Sequence, residues 1–121
     1  MDIFGPLMLA AAEAGDIKRL ISTLEYVQNI DFKDDQKQTA LHKAAGNGHE
    51  DIVQLLLEKG ASIKAKDTNN FTPLHLAAQK HHASTVNLLL EKGTSIAWHM
   101  AATEGTSLVL VVNLLLERLG L

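Results

Sequence analysis

Six histidines stand in a chain without a single cysteine, so imidazoles and carboxylates are the side chains that could bind a metal or move a proton. His81 and His82 are adjacent and, with a nearby carboxylate, would begin a zinc site, which needs about four converging ligands. His42, His49, His75 and His99 are spread along the chain. Acid–base work would draw on Asp31, Asp34 and Asp35, close in sequence, although charges clustered in a loop more commonly form a solvated rim. The chain has no phosphate-binding glycine loop, no G-x-S-x-G and no H-E-x-x-H. With no thiol there is no disulfide framework and no sulfur nucleophile. These residues do not add up to an enzyme, and neither a metal nor a cofactor is expected. Asn70-Phe71-Thr72 has the form of a glycosylation acceptor, a reading that competes with a local structural role for the Thr72 hydroxyl.

The elements that position these residues repeat. The stretch from Thr39 to Gly60, TALHKAAGNGHEDIVQLLLEKG, returns 33 residues later from Thr72 to Gly93 as TPLHLAAQKHHASTVNLLLEKG. Thirteen of the 22 paired positions are identical, where unrelated sequences share about one or two at residue frequencies of roughly 5–7%. The matches include Thr39 with Thr72, His42 with His75, both Ala-Ala pairs, His49 with His82 and the LLLEKG block. In these residues the sequence resembles the ankyrin-repeat family, whose unit reads D-x-x-G-x-T-P-L-H-x-A-A-x-x-G-H followed by an aliphatic helix ending in L-L-L-x-x-G. The resemblance implies an all-α solenoid of stacked helix pairs joined by short β-turns. It also implies that the imidazoles of His42 and His75 bond within the turn region and tie neighbouring repeats together. Histidines that recur once per repeat lie about 10 Å apart on stacked helices, too far to share an ion.

Length and composition agree with one folded domain: 121 residues, 46% apolar and 21% charged. A net charge of −3 and the lack of any basic run speak against nucleic acid as a partner. The apolar patch from Ile3 to Ala12 follows Asp2 rather than a positive charge, which favours an inner helix over a signal peptide. No apolar run approaches the ~20 residues that span a bilayer, so no membrane partner is expected. The expected location is intracellular and cytoplasmic.

Carrying the 33-residue period backwards sets Ala11-Ala12 under Ala44-Ala45, Gly15 under Gly48 and Leu24 under Leu57. Residues 1–33 therefore form an N-terminal capping repeat, with helices over Pro6 to Ala14 and Ile17 to Tyr26. Pro6 suits a first helical turn and Gly15 a left-handed helix stop. Val27 stands where the later repeats have Gly60 and Gly93, so this helix should end differently. The second repeat, 34–66, should project a turn over Lys33 to Gln38, with helices over Ala40 to Gly46 and Glu50 to Leu57. The third, 67–93, follows the same plan. Lys37 and Asn70 occupy the turn glycine of the family motif and His81 the glycine between helices; all three would need positive φ.

After Gly93 the register breaks. His99 follows His75 by 24 residues, nine short of the period, so the projecting turn is missing from a degenerate final repeat over 94–121. WHMAATEG resembles LHKAAGNG, giving an inner helix over Ile96 to Glu104 and an outer one over Ser107 to Arg118. The outer one contains LVLVVNLLL, eight apolar residues in nine, and such a helix must be covered on more than one side. Leu108, Val109, Leu110 and Val111 would fold back over the missing turn, contact a second copy to make a homo-oligomer, or mark a chain cut from a longer array.

What remains is recognition. The family binds proteins through a concave face of turn tips and exposed inner-helix positions. By motif position these are Asp35, Gln36 and Gln38 in the second turn and Thr68, Asn69 and Phe71 in the third. Gly46, Asn47, Gln79 and Lys80 continue the surface at the inner-helix ends. Phe71 is the sharpest candidate, because an aromatic at a turn tip is an interface anchor unless it packs on the adjacent turn. The expected function is non-catalytic binding of a protein partner through this face, through the apolar C-terminal helix, or both; the alternative is a structural protein that self-associates through that helix.

Overall fold

The computed structural model describes residues 3–92. The final repeat, with its two expected helices and Leu108 to Val111, lies outside the described residues. Five helices are seen in full: α1 (Phe4–Ala14), α2 (Ile17–Leu24), α3 (Ala40–Gly46), α4 (Glu50–Glu58) and α5 (Pro73–Gln79). A sixth, α6, is described over 83–92. The short helices α1, α3 and α5 pack side by side as an inner layer, and α2 and α4 pack beside one another outside them. The molecule is an all-α repeat solenoid.

The second and third repeats start their inner helices for the same local reason. Thr39 and Thr72 cap α3 and α5: their hydroxyls accept from the N–H groups of His42 and His75, and those imidazoles accept in return from the Thr39 and Thr72 N–H groups. Histidine here performs the part that Glu or Gln plays in a capping box. Pro73 begins α5, where its missing N–H leaves no gap. Asp16 caps α2 by accepting from the Arg19 N–H at 3.1 Å. At α4, Glu50 and Asp51 sit in the first turn, where the helix dipole favours negative charge.

Helix α1 starts two residues before the expected Pro6, with Ile3 as its N-cap. Pro6 is thus the third helical residue, still within the first turn, whose N–H groups lack intrahelical partners. Helix α1 stops at Gly15, which is left-handed at φ 77. Helix α2 ends at Leu24, short of Tyr26 and one register position earlier than α4; Val27 keeps a negative φ where Gly60 takes φ 92. The three non-glycine residues expected at positive φ are all found there: Lys37 at 60, Asn70 at 64 and His81 at 60.

The core lies between the layers. The alanine pairs 11–12, 44–45 and 77–78 are buried and bring the inner helices close, while Met8, Leu20, Leu41, Ile52, Leu56, Leu89 and Leu90 fill the space behind them. Each large apolar side chain taken from water contributes about 1.5–3 kcal/mol, and these residues form one continuous core cluster across the repeats. The first repeat departs from this pattern on its far side. The register aligns Arg19 with the fully buried Ile52, yet the Arg19 side chain is 68% exposed, in a surface ion pair with Asp16.

Candidate protein-binding face

Asp34 and Asp67 open the two projecting turns and organise them identically. The Asp34 carboxylate accepts from the N–H groups of Gln36 and Gln38 at 2.9 and 3.0 Å, and that of Asp67 from Asn69 and Phe71 at 2.8 and 3.0 Å. Backbone bonds close each turn, from Lys37 N–H to Asp34 O and from Asn70 N–H to Asp67 O, both 2.9 Å. Burial works to raise both carboxyls, but the backbone N–H groups, with the Lys43 ammonium at Asp34 and the Gln38 amide at Asp67, outweigh it and hold both below the ordinary range. The expectation of a solvated acidic rim is corrected for Asp34, which is spent on its own turn and on Lys43 at 3.0 Å. It is corrected also for Asp31, whose carboxylate accepts from the Ser62 N–H at 2.9 Å, linking the ends of the first and second repeats. Asp35 is exposed as expected.

Histidines join the repeats. His42 is fully buried; its Nε2–H donates to the Phe71 carbonyl in the next turn at 2.8 Å, while Nδ1 accepts from Thr39 N–H. This is the bridging role that the motif implied. His49 and His82 do the same one layer out: their Nε2–H groups donate to the carbonyls of Glu13 and Gly46, each at 3.1 Å. This second ladder escaped the sequence reading, although the 33-residue match of His49 with His82 was its signal. The His82 ring is held from both sides, its Nε2 on the Gly46 carbonyl and its Nδ1 facing Gly48, where a Cβ would stand 2.8 Å away. Thr72 is fully buried, with its hydroxyl 2.6 Å from His75 Nδ1, so the sequon threonine has the local role.

Because Nδ1 of His42 faces an N–H donor, adding a proton there would break the α3 cap, and burial keeps the imidazole below its ordinary value of 6.5 despite the Phe71 carbonyl and the Asp67 carboxylate, which favour the charged form. The unfolded chain therefore takes up this proton first as pH falls, and stability is expected to decline from about pH 6.5 downward. The lowered Asp34 and Asp67 add a second loss below their ordinary 3.8. Urea midpoints at pH 7.5 and 5.0 check the first stage: the lower pH should give the lower midpoint, and the difference should shrink in His42→Gln.

The turns and inner-helix ends of the second and third repeats share one side of the stack. The Thr68 N–H donates to Gln36 O at 2.9 Å across the two turns, and α3 packs on α5. Asp35, Gln36, Thr68, Asn69, Asn47, Gln79 and Lys80 are exposed along it. Gln38 is half-buried and its amide donates to the Asp67 carboxylate at 3.1 Å, so it acts as a strut between turns. Gly46 is buried and forms floor. Phe71 is half-buried, its ring centroid 6.0 Å from that of His75. Ala10 and Glu13 of α1, exposed at the register positions of Lys43 and Gly46, extend the same surface.

A family model described as ankyrin repeats (3 copies) matches residues 7–98. The chain belongs to the ankyrin-repeat family. Ankyrin repeats are in general protein–protein interaction modules rather than catalysts. Among curated proteins, a mouse protein named 60 kDa lysophospholipase is 44% identical over 54 residues, 45% of this chain and 10% of that protein. The bovine and human proteins named ankyrin repeat domain-containing protein 49 are each 40% identical over 60 residues, 47% of this chain and 24% of the relative. The chain thus matches between a tenth and a quarter of the length of these relatives, through its repeats. No helix among the described residues is long and apolar enough to cross a membrane.

Proposed function

We propose that this chain is a non-catalytic binding module that holds a protein partner on the face formed by its projecting turns and inner helices. The observation that carries this reading is the contrast within that face. Backbone and struts are fixed by Asp34, Asp67, Gln38 and the histidines, while Asp35, Gln36, Thr68 and Asn69 point outward from the turns so fixed. A surface ordered before binding loses little conformational entropy on association. The first repeat is its cap, with Arg19 in place of a buried aliphatic, and a cytoplasmic location accords with the reading. Thr68→Arg with Asn69→Arg is expected to weaken binding of a cross-linked and identified partner at least tenfold with the melting temperature held within about 2 °C, since both side chains are exposed. Full binding by that variant would place the interface elsewhere.

A second reading, self-association, rests on the apolar run at 108–116, outside the described residues. It makes Leu108, Val109, Leu110 and Val111 the contact between copies. Light scattering at tens of micromolar tests it: a dimer or larger species is expected, reverting to monomer in Val109→Glu/Val111→Glu, and a strict wild-type monomer removes it.

A further inference from the structure

The described molecule has a depression at one end of the proposed binding face that the motif positions did not mark. Register sets Phe4 and Gly5 against Lys37 and Gln38, yet the first two are helix where the latter belong to the turn. With α1 in place of a turn, the turn of the second repeat overhangs it and leaves a hollow of ≈ 430 Å³. Pro6, Leu9, Ala10 and Phe32 give it apolar walls. The Phe32 ring lies against Gly5 so closely that a Cβ there would meet it at 2.7 Å, which fixes the ring at the end of the hollow.

Its rim is charged unevenly. Lys43 is neutralised by Asp34 at 3.0 Å. Glu13 and Asp35 are exposed and have no ion-pair partner among the described residues, against the single exposed ammonium of Lys33. Two carboxylates and an apolar floor complement one kind of occupant. We propose that this hollow anchors the partner by taking one apolar side chain of a protein segment whose adjoining residue is Lys or Arg. This rests on the binding-face reading above and gives that face an end, a polarity and a sequence preference. An apolar side chain seated among Pro6, Leu9 and Phe32 leaves water, while the neighbouring cation meets Glu13 or Asp35 at a rim where salt screens the attraction.

Selection of phage-displayed random peptides on the full chain tests this. The expected consensus is an aliphatic or aromatic residue next to Lys or Arg. A synthetic peptide of that consensus should bind at least tenfold more weakly to Ala10→Arg, which fills the hollow with a cation. It should bind several-fold more weakly to Glu13→Gln/Asp35→Asn, with reduced salt dependence, both variants melting like wild type. Failure to enrich any peptide, a consensus without the cation, or undiminished binding to Ala10→Arg overturns the proposal. Peptides that are lost with Thr68→Arg/Asn69→Arg but not with Ala10→Arg would overturn the hollow and keep the face. Peptides indifferent to both sets would remove both.

Discussion

Replacing His42 by alanine should cost about 3–5 kcal/mol, a large share of the 5–15 kcal/mol that holds a domain of this size folded. The imidazole is fully buried and serves three partners: the Thr39 N–H, the Thr39 hydroxyl and the Phe71 carbonyl. Its loss leaves a cavity, an uncapped α3 and a buried carbonyl without its donor, each about 1–3 kcal/mol and not fully additive. His49→Ala makes the useful comparison, because that ring is only half-buried and serves one carbonyl; about 1 kcal/mol is expected. Urea unfolding followed by circular dichroism measures both. A loss at His42 no greater than at His49 would mean that the tie between second and third repeats is not what holds the stack.

The second large effect belongs to a glycine. Gly48 lies at φ 71, and a Cβ built on it would stand 2.8 Å from Nδ1 of His82. Gly48→Ala therefore adds backbone strain of about 1–2 kcal/mol and pushes the His82 ring from the Gly46 carbonyl, about 1 kcal/mol more. Gly60→Ala separates the two contributions. Its φ is 92, but nothing lies within 4 Å of the added carbon, so only strain should appear. Expected losses are about 3 kcal/mol at Gly48 and about 1–2 kcal/mol at Gly60, read as shifts in thermal midpoint. Equal losses would show that the histidine moves aside without consequence.

These contrasts show where the sequence was readable. The family motif located α3 to the residue and implied positive φ at Lys37, Asn70 and His81, because a repeated motif transmits backbone geometry position by position even where its glycine has been replaced. It transmits less about contacts between repeats. The role of His42 followed from a known motif. That of His49 depends on how closely the ring approaches Gly15, where a Cβ would meet it at 2.7 Å, and no spacing rule reports such a distance. Asp31 reads as loop charge until Ser62, 31 residues away, is placed over it. The hollow beside α1 was hidden for a related reason: it exists because residues 4 and 5 are helical where the register has a turn, and aligning repeats by their similarities draws attention away from the place where one differs. The positions that the resemblance assigned to a binding face are sorted by burial: Gln38 and Gly46 serve the scaffold while Thr68 and Asn69 face solvent.

The glycines at 15 and 48 bear on how such a chain could be lengthened. Each is the socket into which the following unit plugs its histidine, and the third socket is closed, since His81 carries a side chain at φ 60 where the other two have none. A duplicate of residues 34–66 spliced in after residue 66 would find Gly48 open to its own imidazole. The same duplicate grafted after residue 92 would meet His81. Extension of this array is thus directional by construction: modules can be inserted in the interior, whereas growth past the third unit calls for a different coupling or for glycine at 81.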